Sequence, residues 1–308
     1  MGLADLFKRT SSPPPPKQDL FDEDFQRKLD YLALVSRRVF AGRLRAERRS
    51  KKTGSGIEFA DHREYHPGDD FRYLDWNVYG RSERLLLRLF EEEEDLSIYI
   101  LLDCSRSMGF GSPPKFDHAR KLAAAMAYVG LANLDRVAMV AFSSEIEKRL
   151  PASRGKGQIF KVFDFLRSVA PDGDTALADV AKAVTSQYKR RGIAIIVSDL
   201  YDPEGFERGI NAIRYQKYEP MVIHVTDPRE ADPGARGDVT LYDVETGEQR
   251  EVTLTQGMVD SYKKAHTAWR KEIDDFCKSR QVPYVAADIT GEFEEQVLYL
   301  FRRLGIMG

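Results

Sequence analysis

Two cysteines in 308 residues, Cys104 and Cys277, cannot build a disulfide framework, and no Cys-x-x-Cys pair exists to seed a zinc site. No apolar run approaches the ~18 residues that a membrane span requires. The first residues carry no apolar core of the kind a secretory signal needs, and Leu6 stands where N-myristoylation asks for Ser or Thr. The chain has no Gly-x-x-x-x-Gly-Lys-Ser/Thr loop for nucleotide phosphates and no Gly-x-Ser-x-Gly elbow for a serine hydrolase. Its five histidines, His62, His66, His118, His224 and His266, never fall at metal-ligand spacing and read as structural or surface residues. There is no internal repeat. The expected location is the cytoplasm.

What is present is a well-filled globular composition, 42% hydrophobic and 31% charged, with a net charge of −2. That small net value hides patterning. Arg27 to Lys52 holds ten Lys or Arg against Asp30 and Glu47, and Glu91 to Asp95 is a block of five acids. The basic block reads as a helix face or a docking surface. Without a zinc finger, an RNA-binding aromatic motif or a helix-turn-helix cue, no nucleic-acid partner is expected.

Residues 1–20 contain Ser11-Ser-Pro-Pro-Pro-Pro16 and are expected to form a flexible proline-rich tail. Residues 21–93 are expected to hold a helix over Asp22–Ala41 and a small β-containing platform. Phe25, Leu29, Leu32, Val35 and Val39 set the helical period. A basic connector follows over Arg43–Lys52, then a turn at Thr53–Gly56. Two short strands, a helical stretch at Asp75-Trp76 and a strand near Leu85–Phe90 complete the platform. From residue 94 to 308 strands and helices alternate, which predicts an α/β, doubly wound, mostly parallel sheet. A hairpin interrupts it near 238–254, turning at Glu245–Glu248.

The densest chemistry follows the first buried strand, Leu96–Asp103, where Asp103-Cys-Ser105-Arg-Ser107 places a carboxylate and two hydroxyls on one loop. The carboxyl edge of an open α/β sheet is where ligands bind. Hard oxygen donors on a tight loop suit Mg²⁺ or Mn²⁺ rather than zinc. Two further oxygen donors stand at equivalent places. Thr175 opens the helix over Ala176–Lys189, and Asp199 ends the buried strand Gly192–Asp199. Helix capping is an alternative role for Ser105, Ser107 and Asp199, and it is compatible with metal binding.

Asp103-x-Ser105-x-Ser107 with Thr175 and Asp199 resembles the metal-ion-dependent adhesion site of von Willebrand factor A domains, a resemblance that covers roughly residues 94–305. The preceding segment resembles the signature of one bacterial A-domain group, domain of unknown function fifty-eight, whose genes typically sit beside those for MoxR-type AAA+ ATPases. It carries Gly54-x-Gly-x-Glu58-Phe59, Arg63-x-Tyr65, Pro67-Gly-Asp-Asp70, Arg72, Asp75-Trp76 and Arg81. Many members carry transmembrane helices ahead of the signature, which this chain lacks. Members often follow the threonine with Asp, where this chain has Ala176. The resemblance implies a von Willebrand A-like fold and an Mg²⁺ or Mn²⁺ site formed by Asp103, Ser105, Ser107, Thr175 and Asp199. In the family the hydroxyls usually ligate directly, and one or both acids act through water.

The resulting expectation is a metal-dependent, non-enzymatic protein-binding module, an adaptor or co-chaperone. Its partner would be a MoxR-type AAA+ ATPase, or a client that supplies an acidic ligand. ATP hydrolysis would belong to the partner. The alternative is a Mg²⁺-dependent phosphatase-like hydrolase using Asp103, although Ser105 stands where that chemistry usually wants a second Asp. Asp103 is expected beside solvent, so that Asp103→Ala should spare the fold. Arg63, Arg72 and Arg81 are expected to pair with Glu58, Asp69, Asp70 and Asp75, with Trp76 and Tyr65 as packing anchors.

Overall fold

The computed structural model describes residues 19–40, 49–53, 58–93, 96–188, 190–232, 234, 237–242 and 249–303. Most of the expected tail, residues 41–48 of the basic segment, Gly54 and Gly56, and the hairpin turn fall outside these.

Helix α1 (Glu23–Phe40) starts where Asp22 accepts a hydrogen bond from Phe25 N at 2.8 Å. Strands β1 (Arg49–Thr53), β2 (Glu58–Glu64) and β3 (Leu86–Glu93) form an antiparallel sheet in the order β1-β3-β2, with a short helix α2 (Trp76–Ser82) between β2 and β3. There follow β4 (Ser97–Asp103), α3 (Lys115–Ala132), β5 (Arg136–Phe142), β6 (Ile146–Ser153), α4 (Ile159–Arg167) and α5 (Leu177–Gln187). Next are β7 (Ile193–Ser198), α6 (Phe206–Tyr215), β8 (Glu219–Thr226) and the single turn α7 (Pro228–Ala231). The hairpin β9 (Gly237–Tyr242) and β10 (Gln249–Leu254) leads to α8 (Gln256–Ser279), β11 (Tyr284–Asp288) and α9 (Phe293–Arg303).

The central sheet has the order β11-β8-β7-β4-β5-β6, and its neighbours are parallel except for the antiparallel edge strand β6. This is the mostly parallel, von Willebrand A-like α/β architecture expected. β4 is buried along its whole length because both faces of a doubly wound sheet are covered. Its alternation divides the core. Ile98, Ile100 and Leu102 face α1, α3, α4 and α9, whereas Tyr99 and Leu101 face α5, α6 and α8. α1 belongs to the first of these layers: Phe21, Phe25, Leu29 and Leu32 are buried, and Phe21 stacks on Phe163 at 4.9 Å between ring centroids. No helix among the described residues is long and apolar enough to cross a membrane.

The N-terminal sheet departs from the sequence reading in four ways. Arg49–Thr53, read within a connector and a turn, is a strand. Its register sets Arg49 opposite Glu93 and Lys51 opposite Glu91, so the basic and acidic runs of the sequence meet across one ladder. Only one strand, β2, forms among the described residues between 58 and 81, since Phe71–Tyr73 is a 3₁₀ turn held by Asp70. Trp76 is 61% exposed, and its ring meets the edge of Tyr79 at 6.1 Å between centroids rather than packing into the core. It opens a two-turn helix capped by Asp75, and the buried anchors are Leu74 and Leu87, which bridge β3. Tyr65 does pack, stacking on Phe71 at 5.2 Å. The expected ion network resolves into separate pairs: Arg63 with Asp69 at 2.8 Å, Arg72 with Asp70 at 2.6 Å, and His62 with Asp75 at 3.0 Å.

Candidate metal centre

Asp103 is the last residue of β4, and Asp199 follows the last residue of the neighbouring β7. Adjacent parallel strands therefore bring the two acids to one edge. Both are fully buried, which corrects the expectation that Asp103 lies beside solvent. The covering loops explain the difference. Arg106 N donates to Gly173 O at 2.9 Å and Asp172 N to Cys104 O at 2.7 Å, so the threonine loop closes over the end of β4. Gly173 turns there at φ +74°, and an added Cβ would meet Ser143 Oγ at 3.1 Å.

Each carboxylate oxygen of Asp103 has a donor: Ser105 N at 2.9 Å and Ser198 Oγ at 2.5 Å. Burial, and then the charge of Asp199, push the Asp103 carboxyl up to about 7. Ser105 stands at the N-cap of a 3₁₀ turn (Arg106–Gly109), yet its side chain makes no capping bond. Its Oγ instead lies 3.0 Å from Ser107 Oγ. Thr175 is buried and its Oγ1 has no hydrogen-bond partner among the described residues. A hydroxyl left so costs about 1–3 kcal/mol, and a cation would satisfy it. Leu177 N, just beyond Thr175, donates to Asp202 Oδ2 at 2.9 Å, which ties the threonine loop to the loop after β7.

The largest surprise is Lys115. It opens α3, is fully buried, and directs its ammonium to Asp199 Oδ2 at 2.5 Å and to Glu230 Oε1. Glu230 completes a capping box on α7, its other oxygen accepting from Asp227 N at 3.2 Å. Burial pulls the Lys115 ammonium down, but the two carboxylates outweigh it and hold the group above its ordinary value. Burial raises Glu230 despite the lysine. Tyr201 lies under the ammonium at 5.1 Å and stacks on Trp269 of α8 at 4.7 Å. None of Lys115, Glu230 or Asp202 emerges from sequence reasoning. The only local signal is a lone lysine between Pro114 and Phe116 at the head of an apolar helix.

The five expected residues thus lie on three loops at one sheet edge, the first two joined by backbone hydrogen bonds and the third tied in through the Asp202 carboxylate. The oxygens they offer are two serine hydroxyls bonded to each other and the Thr175 hydroxyl, with two buried acids at the strand ends. Among the described residues no three of His, Cys, Asp or Glu gather as a metal cluster. The donor set fits a small, hard cation on hydroxyl oxygen, with Thr175 Oγ1 as the group that lacks any other partner.

Comparison with known proteins places the chain among bacterial relatives. It is 29% identical over 260 residues to an uncharacterized protein of Mycobacterium tuberculosis, covering 83% of this chain and 82% of the relative. An uncharacterized protein of Mycobacterium bovis matches with the same identity and coverage. Among solved structures, a conserved hypothetical protein BatB from Bacteroides thetaiotaomicron aligns with a TM-score of 0.44 and 17% identity, over 68% of this chain and 98% of that one. An aerotolerance-related membrane protein from Bacteroides fragilis aligns with a TM-score of 0.46 and 17% identity, over 69% and 100%. The profile of the family described as Protein of unknown function DUF58 matches residues 61–272, well over half of the chain, and the chain belongs to that family.

Proposed function

We propose that this chain is a metal-dependent protein-binding module. A Mg²⁺ or Mn²⁺ ion would be held by Ser105, Ser107 and Thr175, with Asp103 and Asp199 behind them. The observation that carries this reading is the buried Thr175 hydroxyl, without a hydrogen-bond partner among the described residues, on a loop that backbone hydrogen bonds join to the one carrying two serines that bond each other rather than cap a helix. A small hard cation keeps part of its water shell, and exchange of one water for a partner's Asp or Glu gives directional, metal-dependent adhesion. The partner the resemblance implies is a MoxR-type AAA+ ATPase or its client, with ATP hydrolysis in the ATPase.

The hydrolase alternative, with Asp103 as nucleophile, has less support. Asp103 is fully buried and both its oxygens accept hydrogen bonds, so a phosphoryl group has no open line to it. Calorimetric titration of chelator-treated protein with Mg²⁺ and Mn²⁺ tests the metal. Binding at or below millimolar concentration is expected, and none would refute the reading. Co-purification with the ATPase, with and without chelator, tests the partner. Thr175→Val is the better site variant, because Asp103→Ala would strip partners from the buried Ser198 hydroxyl and Ser105 N–H. Phosphate release from an aryl phosphate by the metal-loaded protein would favour the hydrolase instead.

A further inference from the structure

We propose that Lys115 is a tethered cation that shares Asp199 with the divalent ion and so sets how tightly the ion is held. The proposal rests on the metal reading above.

A fully buried ammonium is expensive unless it is paired. Lys115 is paired twice, once to an acid of the candidate centre and once to Glu230. Its backbone N–H donates to Phe110 O at 3.0 Å, and the helix it opens is buried against α1 and α4. Glu230 is equally fixed, through its capping box and through Tyr262 Oη, which donates to Glu230 O at 2.7 Å. The ammonium therefore lies between two carboxylates that their own elements anchor, one of them the acid from which the metal would draw part of its affinity.

Charge counting gives the consequence. With a divalent ion bound, three positive charges face the carboxylates of Asp103, Asp199 and Glu230. The loaded centre is neutral and does not repel an incoming acidic side chain. Without Lys115 the loaded centre would be anionic. It would grip the ion more tightly by itself and welcome a partner's carboxylate less. Lys115 thus trades metal affinity for partner affinity, and Glu230 limits the trade by drawing the ammonium partly away from Asp199.

The test is a double-mutant cycle read by Mn²⁺ titration of chelator-treated full-length protein, with circular dichroism as the folding control. Lys115→Met should bind Mn²⁺ about tenfold or more tighter than wild type, since a nearby unit charge is removed from a low-dielectric site. Glu230→Gln should bind severalfold weaker. In the Lys115→Met background, Glu230→Gln should change affinity much less than it does in wild type. Should Lys115→Met alone fail to fold, the double variant leaves fewer uncompensated buried charges, and it should bind tighter than Glu230→Gln. Wild type that binds Mn²⁺ while removal of Lys115 leaves affinity unchanged or lower in the folded backgrounds would overturn the inference and leave the metal reading standing. No binding by wild type or by any variant at millimolar Mn²⁺ would refute the metal reading itself, and the inference with it.

Discussion

Replacing Thr175 with Val should raise stability in chelator and lower it in magnesium. Val has nearly the shape of Thr, so the buried site keeps its packing and loses only the hydroxyl. That hydroxyl has no partner among the described residues, and an unsatisfied buried polar group costs about 1–3 kcal/mol. Taking the lower end, Thr175→Val should gain about 1 kcal/mol in metal-free buffer. For a chain of this size that corresponds to roughly 1.5 °C in Tm. Metal reverses the order. If wild type binds Mg²⁺ with Kd near 1 mM, about 10 mM Mg²⁺ adds about 1.4 kcal/mol to its stability, while the variant, short of one ligand, gains little. Two thermal melts per protein, one with chelator and one with Mg²⁺, measure the crossing. A variant less stable than wild type in chelator would refute the reasoning, because the hydroxyl would then be making a bond worth more than its burial costs.

Other consequences can be checked with similar ease. Phe21→Ala should destabilise by about 3–5 kcal/mol, because the ring is buried and stacked on Phe163; a loss under about 1 kcal/mol in urea unfolding would mean that the segment ahead of α1 does not pack in solution. Cys104 and Cys277 are buried and their thiols are pushed up to about 12, so neither should react with an aromatic disulfide reagent at neutral pH until the protein is unfolded. His118, whose Nε2 lies 2.8 Å from Gln296 Oε1, is held below its ordinary value chiefly by burial. Below the unfolded value of about 6.5 the unfolded chain takes up a proton that the folded chain resists. The stability present above that pH is therefore lost as pH falls toward the folded value, by up to about 1.4 kcal/mol per unit. His118→Gln should flatten the decline between pH 7 and 5, and an identical slope in both proteins would count against it.

The parts of this fold visible in the sequence are those governed by local pattern. α1, β4, α5 and β7 lie within one or two residues of their expected positions. Their burial period or their continuous apolar runs leave few alternatives. Asp103 and Asp199 were legible because each ends such a run. The rest depends on distant partners. β1 reads as a basic connector until β3 lies beside it, and Trp76 reads as an anchor until Leu74 and Leu87 occupy the interior. Lys115 and Glu230 are 115 positions apart, and nothing local to either marks the pairing. A buried ion pair of that separation has no periodic signature, which is why the centre's acids are readable from sequence and its counter-charge is not.

The pairing of β4 with β7 also has a mechanical consequence. Leu102 lies in register with Val197, one residue short of Asp103 and two short of Asp199, and β5 and β8 flank the pair on either side. A partner that tugs on an ion held at this edge would load two central strands along their own axes. Parallel strands pulled lengthwise resist in shear, with many ladder bonds strained together, whereas a peeled edge strand gives way one bond after another. A partner held through such an ion would be rooted where the sheet is hardest to unzip.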